Sequence, residues 1–319
     1  VDMTDTQNEV FKSPVNKIRL FEHGAPGSQN LKLTRKYYTE DMPDGRVKHI
    51  VQNITDPDIV PYIPDGIGNS TDRQRIPAVL IIPGGAFRRL VYNFEGEDVA
   101  KWLNSMGIAA FVLECRLPSD EHDNAEDVPL IDAMRAMRVI RGRAQEFGID
   151  EAKIGVMGFS AGGFMAALLS TAYESDVYAD YKYKDEYDKL SARPDFAVCS
   201  YPVISIDDCI EAGKRYMSEE QVLERISDSK AKILHKYNPD KLVRPDMPPV
   251  FICETDDDRT TLSENSVGFY MAARKAGVSA ELHIFRTGGH GYGCGDDFAQ
   301  TGEWKVLFTK WIKSIGIIS

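Results

Sequence analysis

From residue 77 onward the chain carries short apolar, β-branched runs, most of them apolar throughout instead of alternating with polar positions. A strand with polar residues at every second position can leave one face to water. A strand without them is buried on both faces, which calls for a parallel sheet covered by helices on both sides. The runs fall at 78–83, 109–117, 153–158, 196–203, 250–254 and 281–285. Between them lie helix-length segments with apolar residues three and four apart. Val99, Trp102 and Leu103 mark one, Leu130, Ala133, Met137 and Ile140 another, and Val267, Tyr270 and Met271 a third. A last segment, 303–315, places Val306, Leu307, Trp311 and Ile312 on one side. Alternating strands and helices with right-handed crossovers build a doubly wound, mostly parallel sheet. The expected class is α/β, with residues 1–319 as one domain.

Residues 1–75 read differently. They are polar and rich in turns (Gly24-Ala25-Pro26-Gly27, Met42-Pro43-Asp44-Gly45, Pro64-Asp65-Gly66), with one alternating run at 47–50. The expectation is an N-terminal arm with antiparallel edge strands. Two polar excursions interrupt the later repeat. Residues 173–194 hold five tyrosines among many charges, and residues 205–248 carry weak helical patterns at 221–226 and 231–237. Either is a candidate lid or substrate wall.

Composition narrows the partners. With 38 basic and 49 acidic residues the formal charge is −11, and no basic stripe stands out, which disfavours nucleic acid and anionic membranes. No apolar run approaches the roughly 20 residues needed to cross a bilayer. The five cysteines are odd in number and lack CxxC spacing, which argues against a zinc site or a disulfide framework. No basic stretch followed by an apolar one opens the sequence, so no signal peptide is expected in it. A cytoplasmic chain and an exported one with its leader removed both fit, and oligomeric state is not legible.

The chemistry concentrates in three loops. Gly158-Phe159-Ser160-Ala161-Gly162 follows an apolar strand run and precedes a helix-forming run of Phe164, Met165, Ala166, Ala167, Leu168 and Leu169. Strand, tight glycine-flanked turn and helix form the setting of a nucleophile elbow, which exposes Ser160 in a strained conformation at a helix N-terminus. The loop Pro83-Gly84-Gly85-Ala86-Phe87 ends the first strong strand, and its backbone N–H groups can meet a developing oxyanion. Gly85 and Ala86 are the expected donors, with Ala161 as the third. His290 lies in Gly288-Gly289-His290-Gly291-Tyr292-Gly293, a flexible loop suited to a general base. His23, His49, His122, His235 and His283 lack such a setting; His122 and His235 read as surface residues. For the acid that orients His290, three neighbours compete after the run at 250–254: Asp256, Asp257 and Asp258. Spacing alone does not choose among them.

These motifs carry a family resemblance. From about residue 18 to residue 315 the chain resembles bacterial α/β-hydrolases of the acetyl esterase/lipase group, in particular the acetyl-xylan or feruloyl esterase-like branch. The resemblance rests on Gly24–Gly27, Pro83–Phe87, Glu95-Gly96-Glu97-Asp98-Val99-Ala100-Lys101-Trp102-Leu103, Gly158–Gly163, Leu190–Phe196, and Glu281–Phe285 leading into Gly288–Gly293. It implies the α/β-hydrolase fold and a triad of Ser160, His290 and Asp258, with Asp257 in reserve. Similar enzymes place the acid at the last aspartate of a short polar turn after the strand. The chain departs from the pattern at Ala86, where the family loop has a third glycine, and at Arg259-Thr260-Thr261, where relatives carry small apolar residues. The implied activity is that of a serine carboxylic-ester hydrolase acting on a small-molecule or carbohydrate ester such as acetyl-xylan, without cofactor or metal. A prolyl-oligopeptidase-like peptidase is the alternative, although about 75 residues before the first core strand are too few for a propeller domain. A catalytically degenerate hydrolase retained for binding is a third reading.

Overall fold

The computed structural model describes residues 11–67, 75–215, 217–218, 220–222, 229–296 and 300–319. Its centre is an eight-stranded sheet of order β1-β4-β7-β5-β8-β9-β10-β11. The strands are β1 (Ile18–Arg19), β4 (Asp58–Tyr62), β5 (Ile76–Ile82), β7 (Ala109–Glu114), β8 (Ile149–Phe159), β9 (Ala197–Ser200), β10 (Val250–Thr255) and β11 (Ala280–Phe285). From β7 to β11 every pairing is parallel, whereas β1–β4 and β4–β7 are antiparallel. All six runs contain strands: β7, β9 and β10 are buried along their whole length and β5 along all but its first residue, whereas β11, at the edge of the sheet, is only half-buried with Ile284 exposed. Each fully buried Val, Leu or Ile there contributes about 1.5–3 kcal/mol.

Helices cover both faces. On one, α1 (Asp98–Ser105) and α8 (Trp304–Ser314) meet through Trp102, Trp304 and Phe308, with the Trp102 and Trp304 rings 5.0 Å apart. On the other, α2 (Val128–Gly142) and α4 (Ala161–Ala172) pack on each other and on β8. A four-residue α3 (Ala144–Phe147) follows α2, and α7 (Ser263–Lys275) packs on β10 and β11. No helix among the described residues is long and apolar enough to cross a membrane.

The N-terminal stretch divides between two sheets. β1 and β4 extend the main sheet at one edge, while β2 (Lys36–Asp41), β3 (Val47–Gln52) and β6 (Leu90–Val91) form a separate antiparallel sheet. The alternating run at 47–50 belongs to this second sheet. The strand read at 109–117 stops at Glu114, whose buried carboxylate takes Lys17 at 2.8 Å and Arg35 at 2.7 Å. Beyond it, Arg116 and Asp132 form a fully buried ion pair, and Arg116 also donates to Ser28 Oγ at 2.8 Å and to the Pro26 carbonyl. Ser28 Oγ lies 3.0 Å from His122 Nδ1. His122 is therefore buried and not on the surface. Its neighbours Glu121 and Asp123 are exposed while its own ring is covered by the arm.

The two polar excursions take different places. Residues 173–194 leave from the C-terminus of α4, a helix of 12 residues, about 18 Å from Ser160 along the helix axis. They run along α2, held by Arg135 to Asp185 and Asp188 and by Arg138 to Tyr178. Residues 205–248 instead follow β9, whose end lies beside Ser160. This segment contains α5 (Ile206–Lys214) and α6 (Ser229–Lys236). The second helical pattern, at 231–237, falls in α6; the first, at 221–226, lies largely outside the described residues.

Candidate active site

The chain runs from β5 outward to β7, then crosses back to β8 on the other side of β5. Such a reversal opens a crevice at the C-terminal ends of the two central strands. In the β5–β8 register Ile82 lies opposite Gly158, so Gly84 and Ser160, each two residues on, emerge side by side. A Cβ added to Gly84 would come within 2.9 Å of Ser160 Cβ and 2.4 Å of the Phe159 carbonyl.

Ser160 has φ 53° and ψ −118°, a conformation that costs a non-glycine residue about 1–3 kcal/mol. The surroundings hold it there: its N–H donates to the Ser200 carbonyl at 3.0 Å, and its own carbonyl accepts from Phe164 N–H at 3.0 Å. The turn is so tight that a Cβ on Gly158 would stand 1.9 Å from the Gly162 carbonyl oxygen. Serine at a helix N-cap usually bonds back to the first turn. Here the side chain makes no such bond, and its Oγ lies 2.8 Å from His290 Nε2.

His290 reaches Ser160 from the loop after β11, and on its far side Nδ1 meets Asp258 Oδ2 at 2.6 Å. Asp258 is 3% exposed. Its Oδ1 accepts the N–H groups of Thr260 at 2.7 Å and Thr261 at 2.9 Å, and Oδ2 also accepts the Thr261 hydroxyl at 2.9 Å. Burial pushes this carboxyl up, but the bonds from His290, Thr261 and Thr260 prevail and hold it below the ordinary carboxylate range. The structure thus brings Ser160, His290 and Asp258 into one hydrogen-bonded line. Asp257 lies elsewhere: exposed, it accepts Gly289 N–H at 2.8 Å and steadies the histidine loop. Asp256 is also exposed, and its N–H donates to the Phe285 carbonyl. The departure at Arg259-Thr260-Thr261 places two of its three residues as donors to Asp258.

Across the crevice, Gly85, Ala86 and Phe87 have φ of 139°, 57° and 60°. A Cβ on Gly85 would stand 2.1 Å from the Arg89 carbonyl, so that position admits only glycine. Ala86 adopts the left-handed conformation that a third glycine would take without strain. The turn closes through Arg88 and Arg89 N–H to the Gly85 carbonyl, and Val91 N–H to the Gly84 carbonyl at 2.9 Å. Among the described residues the N–H groups of Gly85 and Ala86 donate to no protein acceptor. Ala161, first residue of α4, has an N–H beyond any intrahelical partner.

Two buried side chains join the loops, and neither stood out in the sequence. Glu95 Oε2 accepts Gly84 N–H at 2.8 Å, and Oε1 accepts the Tyr201 hydroxyl at 2.9 Å. Tyr201 Oη in turn accepts Gly293 N–H at 3.0 Å. Burial raises the Glu95 carboxyl, opposed by the charge of His290 and the bonds from Tyr201 and Gly84. A third buried acid, Glu254, is raised well above the ordinary range by burial and by the neighbouring Asp258 charge. The other histidines lie away from this line: His283 binds Glu281, His49 stacks on Phe11, and His23 packs against Tyr183.

The sheet order, the helices on both faces and the turn at Ser160 define an α/β-hydrolase. The chain belongs to the BD-FAE family, whose profile matches residues 67–272, well over half of it. It is 35% identical to the crystal structure of an acetyl ester-xyloside bifunctional hydrolase from Caldicellulosiruptor lactoaceticus, with a TM-score of 0.71 over 95% of this chain and 97% of that one. A curated acetylxylan esterase from Xylanibacter ruminicola is 31% identical over 240 residues, which is 75% of this chain and 45% of the relative. An endo-1,4-beta-xylanase B from Butyrivibrio fibrisolvens is 31% identical over 227 residues, 71% of this chain and 34% of that protein. The chain therefore spans less than half the length of these two curated relatives.

Proposed function

We propose that this chain is a serine carboxylic-ester hydrolase that removes acetyl groups from an acylated carbohydrate such as acetylated xylan. The observation that carries the reading is the line from Asp258 through His290 to Ser160, with Ser160 Oγ 2.8 Å from the ring nitrogen that would take its proton. The relatives named for acetylxylan and for acetyl ester-xyloside hydrolysis support the choice of acyl group and of sugar.

In this reading Ser160 Oγ attacks the ester carbonyl as its proton passes to His290 Nε2. Asp258 fixes the tautomer with the proton on Nδ1 and stabilises the imidazolium that forms. The carbonyl oxygen, now an anion, takes the N–H groups of Gly85, Ala86 and Ala161, which are already oriented. The imidazolium returns the proton to the leaving sugar oxygen, leaving acetyl on Ser160. Water, activated by His290, reverses the sequence and releases acetate. Residues 205–248, which start at the rim beside Ser160, are the candidate substrate wall.

The test is acetate release from acetylated xylan and nitrophenolate release from p-nitrophenyl acetate. Ser160→Ala removes the nucleophile and lowers kcat by about 10⁴-fold or more. Ester cleavage at the unchanged rate in that variant overturns the reading.

A further inference from the structure

The oxyanion loop and the histidine loop belong to opposite sides of the crevice, about 200 residues apart in sequence, yet one buried carboxyl bonds the first directly and the second through Tyr201. Glu95 sits in the helical turn Asn93–Glu97 that follows β6 and is 5% exposed. Each of its oxygens receives one donor, Gly84 N–H on one side and Tyr201 Oη–H on the other, and it faces no acceptor among the bonds it makes. That pattern matches an ionised carboxylate, which only accepts. A carboxylic acid would need somewhere to send its own proton.

Each end of the bridge lies next to a reacting group. Gly84 immediately precedes Gly85 and Ala86. Tyr201 carries the bridge on to Gly293, three residues past His290, and its ring meets the His290 ring edge-on at 5.0 Å. Tyr201 itself is a fully buried residue with φ 37°, a strained backbone that the hydroxyl's two bonds help to hold. On the other side of Gly293, its carbonyl accepts Trp304 Nε1–H at 3.0 Å, so the loop is gripped from both sides.

Building on the serine-esterase reading, we propose that Glu95 is a positioning residue. Through Gly84 and through Tyr201–Gly293 it fixes the oxyanion donors relative to His290, and its charge supports the imidazolium formed when Ser160 attacks. The titratable and charged groups that face it are His290, Tyr201 and Lys48. His290 in turn is faced by Asp258, Ser160, Tyr201 and Glu95. A purely structural clamp would fix the loops without shifting the pH profile of kcat/KM, and this difference can be measured.

Glu95→Gln, Glu95→Asp and Tyr201→Phe are compared with the unchanged chain in p-nitrophenyl acetate hydrolysis across pH. Thermal unfolding and circular dichroism report the folded fraction. Glu95→Gln should lower kcat about ten- to a hundredfold, short of the 10²–10³ lost with an oxyanion donor itself, and leave KM within about twofold. Without the anion the imidazolium is less favoured, so the acidic limb of kcat/KM should move to lower pH by about half a unit or more. Glu95→Asp keeps the charge but is one methylene too short to hold both donors; kcat should fall while the acidic limb stays. Tyr201→Phe cuts the link to Gly293 and should also lower kcat. A Glu95→Gln protein with kcat within about twofold of the unchanged chain and an unmoved limb overturns the proposal. So do losses in all three variants that track the folded fraction alone. If the unchanged chain cleaves no ester, the esterase reading fails and the role of Glu95 with it. If it does, a silent Glu95→Gln defeats the positioning role alone.

Discussion

Asp258→Asn isolates the acid without changing its volume, and the surrounding bonds dictate how the amide must sit. Two backbone N–H groups, of Thr260 and Thr261, converge on Oδ1 at 2.7 and 2.9 Å. Only an oxygen can accept both, so the asparagine carbonyl takes that position and its NH₂ takes the place of Oδ2. The NH₂ then faces His290 Nδ1, where the carboxylate stood 2.6 Å away. With a donor opposite it, Nδ1 becomes the acceptor and the ring proton moves to Nε2, which faces Ser160. An Nε2 that already holds a proton cannot take another. The expected loss is about 10⁴-fold in kcat, roughly 5.5 kcal/mol at 1.36 kcal/mol per decade, with KM little changed. Steady-state hydrolysis of p-nitrophenyl acetate measures it. Asp257→Asn is the control, because an amide oxygen can still accept the Gly289 N–H, and its kcat should stay within about threefold. Should Asp258→Asn keep more than about a tenth of kcat while Asp257→Asn loses it, the acid has been assigned to the wrong residue.

Two further perturbations follow from packing and from titration. Gly84→Ala drives a Cβ to 2.4 Å from the Phe159 carbonyl, a backbone atom that cannot swing away. It should destabilise the protein by about 1–3 kcal/mol in urea unfolding and lower kcat by displacing the oxyanion loop; a variant as stable and active as the parent contradicts the close approach of Gly84 to Phe159. His122 is held neutral, its pKa lowered from 6.5 to about 4 by burial and by the Arg116 charge. The unfolded chain then binds the extra proton between those values, so stability falls as pH drops from about 6.5 to about 4. Unfolding at pH 7 and 4.5 should show a loss smaller by about 2 kcal/mol in His122→Gln than in the parent, and equal losses refute the assignment.

The sequence made the strands legible because burial on both faces leaves no polar position to confuse the pattern, as in 78–82 and 109–113. It made Ser160 and His290 conspicuous because a sharp turn needs glycines close in sequence. What it hid are the features built from residues far apart. Glu114 reads as one more residue of an apolar strand until Lys17 and Arg35, distant in the chain, supply its counter-charges. His122, among Asp120, Glu121 and Asp123, reads as surface until the arm folds over it. The second sheet was hidden for the same reason: its third strand is two residues, Leu90 and Val91, on the far side of the oxyanion loop. Glu95 lay within a motif that supported the family resemblance, yet in sequence it is one acid beside Glu97 and Asp98. Nothing local distinguishes the carboxylate that turns inward.

The register of the main sheet explains why three loops from distant parts of the chain meet within hydrogen-bond reach. Gly158 lies opposite Ile82, Phe159 opposite Ser200, Ser200 opposite Cys253, and Thr255 opposite Phe285. Each residue of the candidate site sits a few positions beyond one of these pairs, so a slip of one pairing would move a site residue by a whole residue spacing and turn its side chain to the other face. The same edge carries four non-glycine residues of positive φ, Ala86, Phe87, Ser160 and Tyr201. Each costs about 1–3 kcal/mol and persists only where the surroundings over-determine it. Here the surroundings are strands buried on both faces, continuous through β5, β8, β9 and β10, whose ends cannot relax independently. The hydroxyl of Ser160 is therefore aimed by the sheet beneath it as much as by the glycines beside it.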